Sequence, residues 1–189
     1  MDETLASQEL QQIVLRGLRA GRQVEIEGLG IFYPDRELGV RFEPISLARV
    51  FIAYVKEDES QASRLYAELT AAGFSPWMDV QKLLPGQNWP RAIESAIDAS
   101  DFFVACFSQN SVAKKGGFQA EIRYALDCAR QIPLDQIFLV PVRLDSCEPP
   151  RAISNEIQYI DFFPDRRPGV GRLIAMMRRE VARRKDTSQ

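Results

Sequence analysis

From Arg49 onward the apolar positions keep one rhythm: a short apolar run, a polar loop, then apolar residues at helical spacing. "RVFIAYV" predicts a buried strand that ends in the charged loop "KEDES". Residues 60 to 72 place Ala62, Leu65, Tyr66 and Leu69 on one helix face, and Gly73 stops that helix. "FSPWMDV" is a second strand, "QKLLPGQNW" a loop punctuated by Pro85 and Gly86, and residues 89 to 99 a helix with Ile93, Ala96 and Ile97 inward. "DFFVACF" is the third strand, followed by a polar loop and a third helix. "QIFLVPVRL" and the short "EIQYIDF" are the fourth and fifth strands, and a helix from about Val170 to Arg184 closes the chain. Apolar strands alternating with helices predict a parallel sheet covered on both faces. Its loops gather at one edge, where open sheets of this kind bind ligands.

Residues 1 to 48 do not share the rhythm. A helix at about 4 to 20 precedes "QVEIEGLGIFY" and "GVRFEPISL", which read as one hairpin around Pro34 to Gly39. The segment is too small to hold a core alone, so it is expected to pack on the main domain or on another chain. The expected division is 1-48 as an appendage, 49-185 as the main domain and 186-189 as a tail.

Composition narrows the chemistry. The 189 residues are 46% hydrophobic and 26% charged with a net charge of −2, so nothing global draws the chain to nucleic acid or an anionic membrane. The absence of histidine removes imidazole bases, Ser-His and Cys-His nucleophiles and most mixed-ligand zinc sites. Three widely spaced cysteines, Cys106, Cys128 and Cys147, read as reduced core residues. With no apolar run of membrane length and no basic-then-apolar start, they point to the cytoplasm.

The stretch "SQNSVAKKGGFQAEIRYAL" raises the question of function. Its helix buries Phe118, Ile122, Ala125, Leu126 and Ala129, and Glu121 falls at the margin of that face. A carboxylate near a helix N-terminus is favourable in itself. No lysine or arginine stands three or four positions away to form an intrahelical pair. On residue chemistry alone, a helix-end charge and a functional group both remain open.

"RVFIAYVKEDES", "GFSPWMDVQKLLPGQNWPRAIESAIDASDFFVACFSQNS", "GGFQAEIRYALD" and "IFLVPVRLDSCEPP", in this order, resemble the Toll/interleukin-1 receptor (TIR) domain, particularly its bacterial form, over roughly residues 49 to 184. The resemblance implies an α/β fold with a flavodoxin-like parallel sheet of five strands and helices on both faces. Many TIR domains cleave NAD at the nicotinamide-ribose bond with a glutamate in the helix after the third strand, here Glu121, preceded by an aromatic, here Phe118. Family members often carry that aromatic four positions before the glutamate, where this chain has Gly117. The loops after the first and second strands would add Ala53 and Tyr54, then Leu84, Pro85 and Gly86, with Trp77 or Trp89 as ring-stacking surfaces. Ser108, ending the third strand, would donate to a phosphate or ribose. NAD would be the substrate and no cofactor is implied. Self-association through TIR-TIR contacts would complete the site, in defence against phage or as an effector inside a host. The alternative from the same resemblance is a non-catalytic interaction module.

"IVLRGLRAGRQVEIEGLGIF" followed by "VRFEP" resembles part of the histone-like HU and integration host factor fold, without its first helix and DNA-gripping arm. "YPDRELG" replaces that arm and is not basic, so a partner subunit or dimer contact is expected there rather than nucleic acid. "GLG" at 28 to 30 and "GVG" at 169 to 171 do not complete a dinucleotide fingerprint and read as turns. A response-regulator receiver would need an Asp ending the third strand and a Lys ending the fourth or fifth; Ser108-Gln109 and Asp145 or Asp161 stand there instead.

Overall fold

The computed structural model describes residues 3–26, 30–35, 39–44, 47–78, 88–114, 116–133 and 136–187, and the chain divides into the compact units Met1–Leu47 and Ala48–Gln189. In the first unit, helix α1 (Glu3–Arg19) is followed by strands β1 (Val24–Ile26), β2 (Gly30–Asp35) and β3 (Gly39–Pro44), an antiparallel sheet of order β1-β2-β3. Val14 and Leu18, four residues apart, form the inward stripe of α1. Gly17 stands between them because a Cβ there would come within 2.3 Å of Val24 Cγ2. The expected hairpin is present as β2 and β3, and β1 adds a third strand to it. Ile26 pairs with Gly30, so "QVEIEGLGIFY" is two antiparallel strands rather than one. Across β2 and β3, Phe32 and Phe42 pair directly with ring centroids 4.6 Å apart.

The second unit carries β4 (Arg49–Ala53), a 3-10 turn (Lys56–Asp58), α2 (Glu59–Ala71), β5 (Ser75–Trp77), α3 (Trp89–Asp98) and β6 (Phe102–Phe107). The short α4 (Gln109–Val112), α5 (Gly117–Gln131), β7 (Leu139–Arg143), the short α6 (Arg151–Ser154), β8 (Ile160–Asp161) and α7 (Arg166–Thr187) complete it. Its five strands are all parallel in the order β5-β4-β6-β7-β8. This is the flavodoxin-like order, in which the chain crosses one way from β4 to β5 and the other way to β6. Its switch point lies between the carboxyl ends of β4 and β6.

Alternate residues of the strands feed two apolar layers. Val50, Ile52, Val104, Cys106, Val140 and Val142 pack under Leu65 and Leu69 of α2 and Leu173 and Met177 of α7. Phe51, Ala53, Phe103, Ala105 and Phe107 pack under Ile97 of α3 and Phe118, Ile122 and Ala125 of α5. All six residues of β6 are buried, as expected of a central parallel strand. Helix α2 stops where Gly73 adopts φ +85, which lets the Phe74 amide reach the Leu69 carbonyl at 3.0 Å.

The last elements depart from expectation. Strand β8 is two residues long, and α7 starts at Arg166 with Pro168 in its first turn, where proline costs no helical hydrogen bond. "GVG" at 169 to 171 is therefore helix rather than turn. Gly169 serves close packing, since a Cβ there would come within 2.2 Å of the Asp161 carbonyl oxygen. Near the amino end of β7, the buried Glu180 of α7 accepts from the Ile137 amide at 3.2 Å and pairs with Arg183 and Arg184 at 2.9 and 3.0 Å.

The Arg183 hydrogen bond, with help from Arg184 and the Ile137 amide, lowers the Glu180 carboxyl from its ordinary 4.5 to about 2. A depressed acid stabilises the fold above its unfolded value and loses that contribution as pH falls toward the folded one. Glu180→Gln should therefore destabilise the protein at neutral pH by about 1–2 kcal/mol after allowance for screening. The gap from wild type in urea melts should close as pH falls from 4.5 toward 2.

Candidate functional site

Helix α5 opens at Gly116, whose φ of +131 is open to glycine, and lays Phe118, Ile122 and Ala125 on the sheet. Glu121 is thereby held half-buried at the margin of this stripe. It lines two hollows. One, of about 10 Å³, lies with Phe51, Ile52, Tyr54 and Trp77 at the carboxyl ends of β4 and β5. The other, of about 330 Å³, lies between α3 and α5 and includes Pro90, Ile93, Glu94, Ala120 and Tyr124. The structure thus brings Glu121, Tyr54 and Trp77 together.

Trp77 has one face committed. It stacks on Phe51 at 4.7 Å and 19°, and Phe51 stacks on Phe103 at 5.2 Å and 5°, so an aromatic row runs across three strands. Tyr124 donates to Asp98 at 2.9 Å, and that bond pushes its phenol up to about 12.

Three expected residues stand elsewhere. Phe118 lines neither hollow: it packs edge-on against Phe107 at 5.6 Å and 78° in the core. One position earlier, Gly117 lines the larger hollow, and a Cβ there would meet nothing within 4 Å. Moving the aromatic from 117 to 118 turns it by about 100° onto the sheet and leaves the hollow open. Ala53 is buried, with its side chain in the same apolar layer. Ser108 is completely buried and donates its hydroxyl to Asp58, so it frames a loop instead of facing a ligand. Leu84, Pro85 and Gly86 lie outside the described residues. Trp89 opens α3, and its side chain lies outside them too.

Sequence reasoning passed over Asp58. It stands in "KEDES", where any carboxylate looks solvated, yet it is 3% exposed and also accepts from Asn110 at 2.9 Å. The signal that could have found it is the Ser108–Ser111 capping box, which marks an ordered loop opposite.

The sulfurs offer no alternative chemistry. Burial pushes the Cys106 thiol up to about 12 and the Cys147 thiol to about 11, far from the thiolate a nucleophile requires. Among the described residues no group of three or more Cys, Asp or Glu is placed to hold a metal ion, and no helix is long and apolar enough to cross a membrane. The site is therefore a carboxylate beside aromatic side chains, at the ligand-binding edge of a 2-1-3-4-5 parallel sheet.

That arrangement defines a class of doubly wound α/β modules, and the family can be given. The TIR domain model matches residues 50–174, so this chain belongs to the TIR domain family. The TIR domain of the Toll-related receptor TRR-2 of Hydra magnipapillata is 23% identical, with a TM-score of 0.57 over 69% of this chain and 97% of that one. A TIR-STING receptor of C. gigas in complex with 2',3'-cGAMP is 24% identical, with a TM-score of 0.56 over 67% of this chain and 38% of that one. At these identities the likeness is one of fold. The uncharacterized protein y4cD of Sinorhizobium fredii is 26% identical over 143 residues, 75% of this chain; the chain spans only 22% of that relative's length.

A core role for Phe118 has a measurable consequence. Phe118→Ala should lower unfolding free energy by about 3–5 kcal/mol, the cost of emptying a buried aromatic position, read from denaturant melts. A loss under about 1 kcal/mol would place the ring at the ligand surface instead.

Proposed function

We propose that this TIR domain cleaves NAD at the bond between nicotinamide and ribose, with Glu121 as the catalytic group. The observation that carries the reading is the half-buried Glu121 set beside Tyr54 and Trp77 at the carboxyl edge of the sheet, with a hollow of about 330 Å³ on its other side. That volume falls in the range of small-ligand sites.

The chemistry suits a site without histidine. The pyridinium nitrogen takes the bonding electron pair and departs as neutral nicotinamide, so no acid has to protonate it. One carboxylate then suffices where hydrolysis of an O-glycoside uses two. Glu121 holds the ribose hydroxyls, and its negative charge stabilises the oxocarbenium-like transition state in a partly dehydrated setting. Tyr54 and Trp77 flank the ring that leaves. Water, or the adenine of the same molecule, captures the sugar cation, giving ADP-ribose or a cyclic ADP-ribose. NAD is the substrate and no cofactor takes part.

Self-association of TIR domains would switch the activity on. Residues 1–48 would dock a partner subunit, and the protein would act in the cytoplasm in antiphage defence.

Purified protein incubated with NAD, with and without a clustering agent, should release nicotinamide on chromatography. Glu121→Ala should reduce the rate at least about a hundredfold with melting temperature and assembly unchanged. A wild-type protein that stays inert when clustered would instead assign the domain to TIR-TIR scaffolding.

A further inference from the structure

Asp58 is a buried acid that the proposed chemistry leaves unused. It occupies the N-cap position of α2, where an aspartate ordinarily accepts from the first helical amides, yet its side chain makes no such bond. Both oxygens turn across the sheet instead. Oδ2 accepts from the Ser108 hydroxyl and Oδ1 from the Asn110 amide at 2.9 Å. Ser108 in turn caps α4, accepting from the Ser111 amide at 3.1 Å while its own amide donates to Ser111 Oγ at 2.8 Å. On the outer side Lys114 pairs with Glu57. The Gln109 amide donates to Asp145 at 3.0 Å, which ties α4 to the loop after β7 as well.

These bonds span the switch point between β4 and β6, the crevice where open sheets ordinarily receive a ligand. Here the crevice is filled by the protein's own side chains, and the hollow with Tyr54 and Trp77 lies toward β5. The loop that begins at Tyr54 and the loop that leads into Glu121's helix meet at Asp58 and, on the outer side, at the Glu57–Lys114 pair.

We propose that Asp58 is a positioning residue for Glu121, a clamp that fixes the 108–116 connection and so sets the first turn of α5 against Tyr54. The inference rests on the reading of Glu121 as the catalytic group. Removing the carboxylate leaves the buried Ser108 hydroxyl without its acceptor and releases the exposed Asn110 amide, which loosens the connection. An amide at position 58 can replace it: its oxygen accepts from Ser108, and Asn110 reverses to offer its own oxygen.

The test uses the full chain in two assays, both below the melting temperatures of all variants. In hydrogen exchange, Asp58→Ala should raise exchange over 108–120 and leave α2 and α7 as in wild type, while Asp58→Asn should match wild type. In NAD cleavage, Asp58→Ala should lower kcat at least about tenfold with KM within about twofold, as expected of a displaced catalytic group. Asp58→Asn should restore most of the rate. Asn110→Ala, which removes only the outer bond at an exposed residue, should fall between them and serves if Asp58→Ala does not fold. Unchanged exchange over 108–120, or unchanged kcat in an active enzyme, would overturn the clamp. A wild-type protein that cleaves no NAD would overturn the assignment of Glu121 on which the clamp's role rests, while exchange still reports whether the clamp exists.

Discussion

One packing constraint places the site. Helix α5 has a single stripe to bury, Phe118, Ile122 and Ala125, and burying it on the sheet fixes the rotation of the whole helix. Glu121 lies at the margin of that stripe, so it is drawn toward the strand ends whenever the stripe is buried. The apolar contacts that hold the domain together therefore also set the helix rotation that carries the carboxylate. Those contacts are firm because β6, the strand beneath, is buried along its whole length and presents Phe103, Ala105 and Phe107 to that face.

Chemistry at such a site is limited by what the chain lacks. With no histidine in the chain and with two of its thiols held protonated by burial, the described lining of the two hollows offers carboxylates and tyrosines. A carboxylate stabilises positive charge that develops beside it and can also act as a general base toward water. A substrate already carrying a cationic leaving group asks only for the former. The proposed activity therefore agrees with the residues available, and the loop network centred on Asp58 supplies the rigidity a single-group mechanism needs.

Much of this was legible in the sequence, for physical reasons. Apolar strands alternating with 3.6-periodic helices give the parallel sheet, and the period of α5 by itself puts Glu121 at the margin of its buried face. What the sequence hid were cases where local pattern and tertiary packing disagree. Gly169 and Gly171 look like turn residues but lie within α7, where close approach to the Asp161 carbonyl excludes a side chain at 169. Ser108 looks like a free strand-end donor until Asp58 is found opposite it, fifty positions away in the chain. Phe118 looks like a pocket wall because of its neighbour in sequence, yet its angle on the helix sends it to Phe107. For Gly169 and Ser108 the deciding contact is nonlocal and periodicity carries no information about it, whereas the helical period of α5 by itself puts Phe118 on the buried face.

The central claim is that the side chain at 121 meets the ribose that loses nicotinamide. A crystal structure of Glu121→Gln with NAD bound tests it most directly, since the amide keeps the shape of the side chain and removes its charge. The nicotinamide-bearing ribose should lie against residue 121, with the ring flanked by Tyr54 and Trp77. A dinucleotide bound away from residue 121, or seated in the β4/β6 crevice with Asp58 turned out, would contradict it.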